Sequence, residues 1–222
     1  MNTVANISIA LGLCSTAVIA VDLVRRPQHM KVMNAVWMLT GLWAGILGLW
    51  AYFAFGRTKT RKDSSMSAME MKRVRWQSVT LSTLHCGAGC TLADIIGELL
   101  MLGIPIALGG SLLFGGWLVD YILALFFGVC FQYSAIRQMN PSMPANMAIG
   151  KAVKADFLSL TAWQIGMYTW MALSVFVLFA GGGPARDSAE FWFMMQIAMM
   201  VGFVFAYPVN VALIKYGVKS SM

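Results

Sequence analysis

Six apolar segments of about 20 residues each dominate the sequence and limit what it can fold into. A bilayer has a hydrocarbon core about 30 Å thick, and an α-helix of about 20 residues just crosses it. Strands of a membrane barrel are shorter than these segments, and in lipid a helix satisfies its own backbone groups. The sequence therefore predicts an all-α, polytopic integral membrane protein with about six transmembrane helices in a single domain, residues 1–222. The segments are 3–24, 32–55, one within 79–108, 116–136, 157–180 and 191–214.

The composition supports a membrane protein over a soluble one. The chain is 59% hydrophobic and 11% charged, whereas about a quarter of the residues in a soluble domain are charged. The formal net charge is +7, but no nucleic-acid-binding motif accompanies it. In a membrane protein a basic balance is typical of cytoplasmic loops. We therefore expect the lipid bilayer, and no nucleic acid, as a partner.

The distribution of Lys and Arg predicts the orientation. Most of these 16 residues lie on one side of the predicted helices, above all in the basic loop 57–75, which is expected to touch anionic headgroups. Arg25, Arg26, Lys31 and Arg186 lie on the other side. Because cytoplasmic loops collect Lys and Arg, both termini are expected in the cytoplasm.

The third segment is too long for a simple crossing. A straight helix over residues 79–108 would measure about 45 Å, so it is either long and tilted, broken, or partly outside the hydrocarbon. Gly87 and Gly89 are the expected break, since glycine tolerates the necessary dihedral angles. Pro105 and the Gly109–Gly110 pair are expected to end the helix.

This segment contains the stretch "STLHCGAGCTLADIIGELL", residues 82–100, which places five metal-ligand side chains within an apolar sequence. On a helix, Cys86, Cys90, Asp94 and Glu98 form an i, i+4 ladder that shares roughly one face. His85 projects about 100° away from Cys86. Thiolate and imidazole suit Cu(I) or Zn(II), whereas carboxylates suit harder ions.

A buried cysteine is often a packing residue, but intramembrane acids are costly. An aspartate at a helix centre costs about 2.5–3.5 kcal/mol on insertion scales. The sequence therefore predicts a metal site made by His85, Cys86, Cys90, Asp94 and Glu98, with copper as the first choice and zinc or iron as alternatives. A series of soft ligands followed by titratable acids further suggests metal transport coupled to protons.

A membrane thiol–disulfide or metal-dependent oxidoreductase using Cys86 and Cys90 is the alternative, and the sequence does not decide whether the protein is an enzyme. Side chains four apart on a helix have Cβ atoms about 5–6 Å apart, while a disulfide needs about 3.8 Å. The redox alternative therefore requires a turn at the glycines. No nucleophile–base signature assigns a catalytic residue. A third interpretation is an accessory subunit whose polar ladder only docks a partner helix. The protein partner is then a second copy of the chain, in a homo-oligomer, or another membrane subunit.

Two further groups are interpreted more simply. Asp156 is expected to be an interfacial or N-cap residue at the start of the fifth helix. The methionines of "FMMQIAMM", residues 193–200, suggest a copper path as one interpretation, but most are expected to pack or to face lipid; they are Met194, Met195, Met199 and Met200.

Several stretches resemble a bacterial membrane-protein family known only as a domain of unknown function. They are "RRPQHMKVMNAVWMLTGLWAGILGLWAYFAFGR", "WQSVTLSTLHCGAGCTLADIIGE", "KADFLSLTAWQIGMYTWMAL" and "FWFMMQIAMMVGFVFAYPVNVALIKYGVK". The resemblance covers nearly the whole chain from Asp22 onward, and the His-Cys-x-x-x-Cys core is its most specific motif. It implies a bacterial plasma membrane and an association with copper handling, but no established reaction.

Overall fold

The computed structural model describes residues 1–58, 75–179 and 183–219. Over these ranges the chain forms six long helices and no strand, which confirms the predicted all-α class. Most of the basic loop 57–75 lies outside the described residues. The helices are α1 (Asn2–Arg25), α2 (Val32–Ala51), α3 (Arg75–Gly103), α4 (Leu112–Met139), α5 (Ala145–Leu173) and α6 (Ala189–Lys215). Short π-helical turns, Tyr52–Gly56 and Ser174–Leu178, continue α2 and α5.

The helices have the length and composition of membrane spans. Among the described residues, five helices are long and apolar enough to cross a bilayer. The exception is α5, which carries Lys151, Lys154 and Asp156 in its first half. Large apolar side chains such as Ile7, Leu13 and Phe126 are exposed on the outside of the bundle, as contact with lipid requires.

The third helix, α3, lies at the centre of the bundle. It packs against α2, α4, α5 and α6, and it is the most buried of the five spans. The most extensive contacts join helices that follow each other in the chain: α1 with α2, α3 with α4, and α5 with α6. Polar residues on α3 are therefore brought inside the protein, away from lipid.

The break expected in the third helix does not occur, because its glycines serve packing. The helix is continuous over 29 residues. A Cβ at Gly89 would lie 2.8 Å from the backbone of Gly128, so these two glycines let α3 and α4 approach closely. A Cβ at Gly87 would overlap the indole of Trp163. Small residues at such crossings are typical of helix packing in membranes, and the long, unbroken alternative is the correct one.

The backbone irregularities lie elsewhere. Gly45, within α2, has a φ of 51°, and the helix is kinked there. The end of the third helix is as predicted: it stops at Gly103, ahead of Pro105. Gly109 and Gly110 follow with φ values of 58° and 80°, a left-handed conformation that favours glycine.

The close crossing at Gly89 leads to a prediction about stability. Gly89→Ala is expected to destabilise the protein by about 1–3 kcal/mol, because the added methyl group must push α3 and α4 apart. Gly150→Ala in α5 is the matched control, since a Cβ there meets nothing within 4 Å. Helix propensity should make that control more stable by up to about 1 kcal/mol. Thermal unfolding in detergent, followed by circular dichroism, measures the melting temperature of each variant. Equal melting temperatures for Gly89→Ala and Gly150→Ala would contradict the packing role of Gly89.

Candidate functional site

All five residues of the predicted metal site lie inside the bundle. The side chains of His85, Cys86 and Cys90 are fully buried, and Asp94 and Glu98 are 2% and 4% exposed. The ladder on α3 therefore faces the neighbouring helices, as its i, i+4 spacing requires. The structure extends the ladder with charged residues from other elements, and the polar groups divide into two clusters.

The two clusters lie near opposite ends of the buried face of α3. The thiol cluster is His85, Cys86 and Cys90 with Asp156 and Lys219, and the acidic cluster is Asp94, Glu98, Asp120 and Arg186. Cys86 and Glu98 are 12 positions apart, which is about 18 Å along the helix axis. As the side chains stand, no group of three or more His, Cys, Asp or Glu residues in the described part of the chain is arranged to hold a metal ion.

Asp156 corrects the sequence interpretation. It is not an N-cap residue, because α5 begins at Ala145 and Pro144 is its N-cap. Ala148 and Ala152, in the helical turns before it, are fully buried in the bundle. Asp156 is therefore about three turns into the helix and fully buried. A Cβ at Gly128 of α4 would lie 2.5 Å from Asp156 Oδ2, so this glycine makes room for the carboxylate.

Lys219 brings a positive charge to the same place. It follows α6, and its side chain runs back into the bundle, where it is fully buried. Its Nζ lies 3.5 Å from Asp156 Oδ1 and donates to the Ser82 carbonyl oxygen at 3.2 Å. Both groups act electrostatically on His85 and Cys86. The thiol cluster therefore contains a buried ion pair that joins the C-terminal segment to α3 and α5.

The soft ligands of this cluster have few polar contacts of their own. Neither ring nitrogen of His85 has a hydrogen-bond partner among the described residues. The ring instead meets the edge of Phe131, with centroids 6.0 Å apart. Cys86 and Cys90 are free thiols, as are Cys14 and Cys130, but those two are exposed. An imidazole and two thiols are thus available for a ligand inside the bundle.

In the acidic cluster, the charge of one carboxylate is balanced by an ion pair and the charges of the other two are not. Glu98 forms an ion pair with Arg186, which precedes α6 and also donates to the Leu112 carbonyl oxygen at 3.2 Å. Both carboxylate oxygens of Asp94 lack a partner within the described chain, as does Asp120 Oδ1. The cluster therefore holds more acidic groups than the one guanidinium can pair.

Space for Asp120 is built into α3. A Cβ at Gly97 would overlap Asp120 Oδ1, so only glycine allows this carboxylate to approach the helix one turn beyond Asp94. Asp120 comes from α4 and is 2% exposed. The roles of Asp156, Lys219 and Arg186 were missed, because their partners are 63 to 88 positions away in sequence.

The fold and these clusters define the class: a helical integral membrane protein with ionisable and thiol side chains enclosed in its bundle. The chain belongs to the family described as a domain of unknown function, DUF4396, which it matches over residues 75–219. The match begins at α3 and includes both clusters. No curated protein and no solved structure matches the chain.

Proposed function

We propose that this protein binds a transition-metal ion within the membrane, copper(I) before zinc or iron, and transports it along the buried face of α3. The observation that carries the proposal is that two free thiols, and an imidazole whose nitrogens have no hydrogen-bond partner among the described residues, are fully buried on one membrane helix. A buried thiol alone is often a packing residue, but burying a polar imidazole without a hydrogen bond costs free energy that a bound ligand would offset. Soft sulfur ligands favour Cu(I).

The continuous helix supports a metal over a disulfide. With no turn at Gly87 and Gly89, the Cβ atoms of Cys86 and Cys90 keep the helical spacing of about 5–6 Å, beyond the usual disulfide distance. An ion bridging two thiolates suits that spacing. Cu(I) also accepts two-coordinate binding, so it needs no third ligand from Asp or Glu. The redox alternative would require this part of α3 to unwind.

The orientation of the two clusters follows from the charges in this proposal. Lys219 places the thiol cluster at the end of the bundle where α6 ends, which the distribution of Lys and Arg assigns to the cytoplasmic side of a bacterial plasma membrane. The acidic cluster then lies toward the opposite side. We propose that its carboxylates exchange protons as the metal moves, so that a proton gradient drives the transport.

Cysteine variants test the binding step. Purified protein in detergent should bind Cu(I) with micromolar or tighter affinity, against a chromophoric competitor, and develop the ultraviolet charge-transfer absorption of a copper–thiolate bond. Cys86→Ser/Cys90→Ser should abolish that absorption and remove one equivalent of tightly bound copper. Parallel titrations with zinc and ferrous iron compare the affinity of the protein for these metals with its affinity for Cu(I).

Cys14→Ser/Cys130→Ser provides the matched control, since it also removes two thiols, but exposed ones. This control should keep the charge-transfer absorption and the binding stoichiometry of the parent protein. Equal copper binding by the two double variants would refute a site at Cys86 and Cys90. Loss of copper binding in the control alone would assign the copper site to the exposed thiols of Cys14 and Cys130.

A further inference from the structure

We infer that the acidic cluster belongs to a second cation site, one that takes a soft monovalent metal ion through methionine thioethers and the carboxylates of Asp94 and Asp120. It differs from the thiol cluster in its donors: Asp94 lies one turn from Cys90, about 6 Å along α3, and two turns from Cys86, about 12 Å, and none of its donors is a thiol or an imidazole. The inference therefore stands whether or not Cys86 and Cys90 bind copper.

A small cavity brings the donors together. It has a volume of about 20 Å³ and is lined by Asp94, Asp120, Met167, Met171 and Met195, among others. A cavity needs about 10–15 Å³ to hold a single water molecule. This one therefore has room for one water-sized guest, such as a bare ion, and none for an ion with its hydration shell.

Three buried methionines line this cavity, and the sequence did not predict them as metal ligands. Met167, Met171 and Met195 are 1%, 3% and 7% exposed, so they face the interior and not lipid. They come from α5 and α6 and meet the carboxylates of α3 and α4 at one cavity. Thioether sulfur is a soft ligand that selects Cu(I)-like ions over hard cations.

The charges around the cavity call for a cation. Arg186 is engaged by Glu98 and by a backbone carbonyl, which leaves Asp94 without any partner within the described residues while it is 2% exposed. Tyr168 cannot serve Asp94, because its hydroxyl donates to the Trp117 carbonyl oxygen at 2.6 Å. Arg186 also lines the cavity and acts on Asp120, so the positive charge that a bound monovalent ion would supply is the one missing beside Asp94.

A second cavity lies beside the same donors. It has a volume of about 180 Å³, is mostly apolar, and lies among α1, α2, α3 and α6. Asp94 and Met195 line both cavities. Met199 lines the larger cavity only and offers a further thioether there.

The decisive experiment uses the full chain with all four cysteines replaced by serine, so that every remaining sulfur belongs to methionine. Silver(I) serves as the probe, because it is soft, monovalent and stable to oxidation. Equilibrium dialysis with elemental analysis should find one bound Ag(I) per chain. X-ray absorption at the silver edge should show sulfur neighbours. Absence of binding, or a shell of oxygen and nitrogen only, would overturn the inference.

Substitution of the donors gives a second test. In the same background, Met167→Leu/Met171→Leu/Met195→Leu and, separately, Asp94→Asn should each weaken Ag(I) binding at least about tenfold, or about 1.4 kcal/mol. Met33→Leu/Met101→Leu/Met194→Leu is the control, because these three methionines are equally buried but do not line the cavity. Equal loss in the control, or displacement of Ag(I) by excess Na⁺, would refute a thioether site.

Discussion

Asp156→Asn, made in a chain that keeps Lys219, is expected to lower the free energy of unfolding by about 3–5 kcal/mol, because it leaves a buried charge without its counter-charge. The Lys219 ammonium lies 3.5 Å from Asp156 Oδ1, and both side chains are fully buried. The other partner of the ammonium, the Ser82 carbonyl oxygen at 3.2 Å, carries no net charge. Denaturation with sodium dodecyl sulfate, or thermal unfolding in a mild detergent, measures the loss.

Two comparisons separate the buried charge from ordinary loss of contacts. Asp156→Asn/Lys219→Met removes both charges and should recover most of the lost stability, since a buried ion pair can be replaced by apolar groups at little cost. Asp22→Asn breaks the more exposed pair with Arg57, whose side chain is 34% exposed, and should cost less. If Asp156→Asn costs no more than Asp22→Asn, the pair at the thiol cluster has no special role in stability.

The helices could be predicted from the sequence because the bilayer imposes one length on all of them. Each apolar segment became a helix, and the end of α3 at Gly103 agrees with the signals at Pro105 and the following glycines. Such signals are local: a proline lacks its N–H, and a glycine reaches left-handed φ, whatever surrounds it.

The predictions that failed depended on neighbours that a sequence does not show. Gly87 and Gly89 carry the same local freedom as Gly109, yet they are helical because Trp163 and Gly128 pack against them. Glycine within a membrane helix is as compatible with close packing as with a break. The kink that does occur lies at Gly45 of α2, which nothing in its immediate sequence distinguishes from the glycines of α3.

In the candidate site, too, the properties of a single helix could be predicted and the contacts between helices could not. The i, i+4 spacing predicted that the ladder of α3 shares a face, because that property belongs to one helix. Asp156 was misplaced because α5 begins at Ala145, about three turns before the apolar segment from which its start was predicted. The pairing of Glu98 with Arg186 joins α3 to the segment before α6. Contacts of this kind follow from the packing of helices, and no short pattern encodes them.

The largest expected effect on activity comes from the acids of α3. Asp94→Asn/Glu98→Gln is expected to abolish metal transport driven by a pH gradient, down to the rate of liposomes without protein, while the copper–thiolate absorption at Cys86 and Cys90 persists. The amides keep the size of the side chains but cannot release a proton, and they remove the charges that would receive a cation leaving the thiol cluster. Asp94, with no partner in the described chain, is the residue best placed to exchange protons and metal.

Proteoliposomes loaded with a copper(I)-sensitive dye, under an imposed pH gradient, provide the measurement. Asp187→Asn/Glu190→Gln is the matched control: it makes the same two chemical changes at acids that lie outside both clusters, near the start of α6, and should transport metal at the parent rate. Asp94→Asn alone should be as inactive as the double variant, because Glu98 is held by Arg186. Undiminished transport in the double variant would make Asp94 and Glu98 packing residues and would leave metal storage at the thiol cluster as the better account of this bundle.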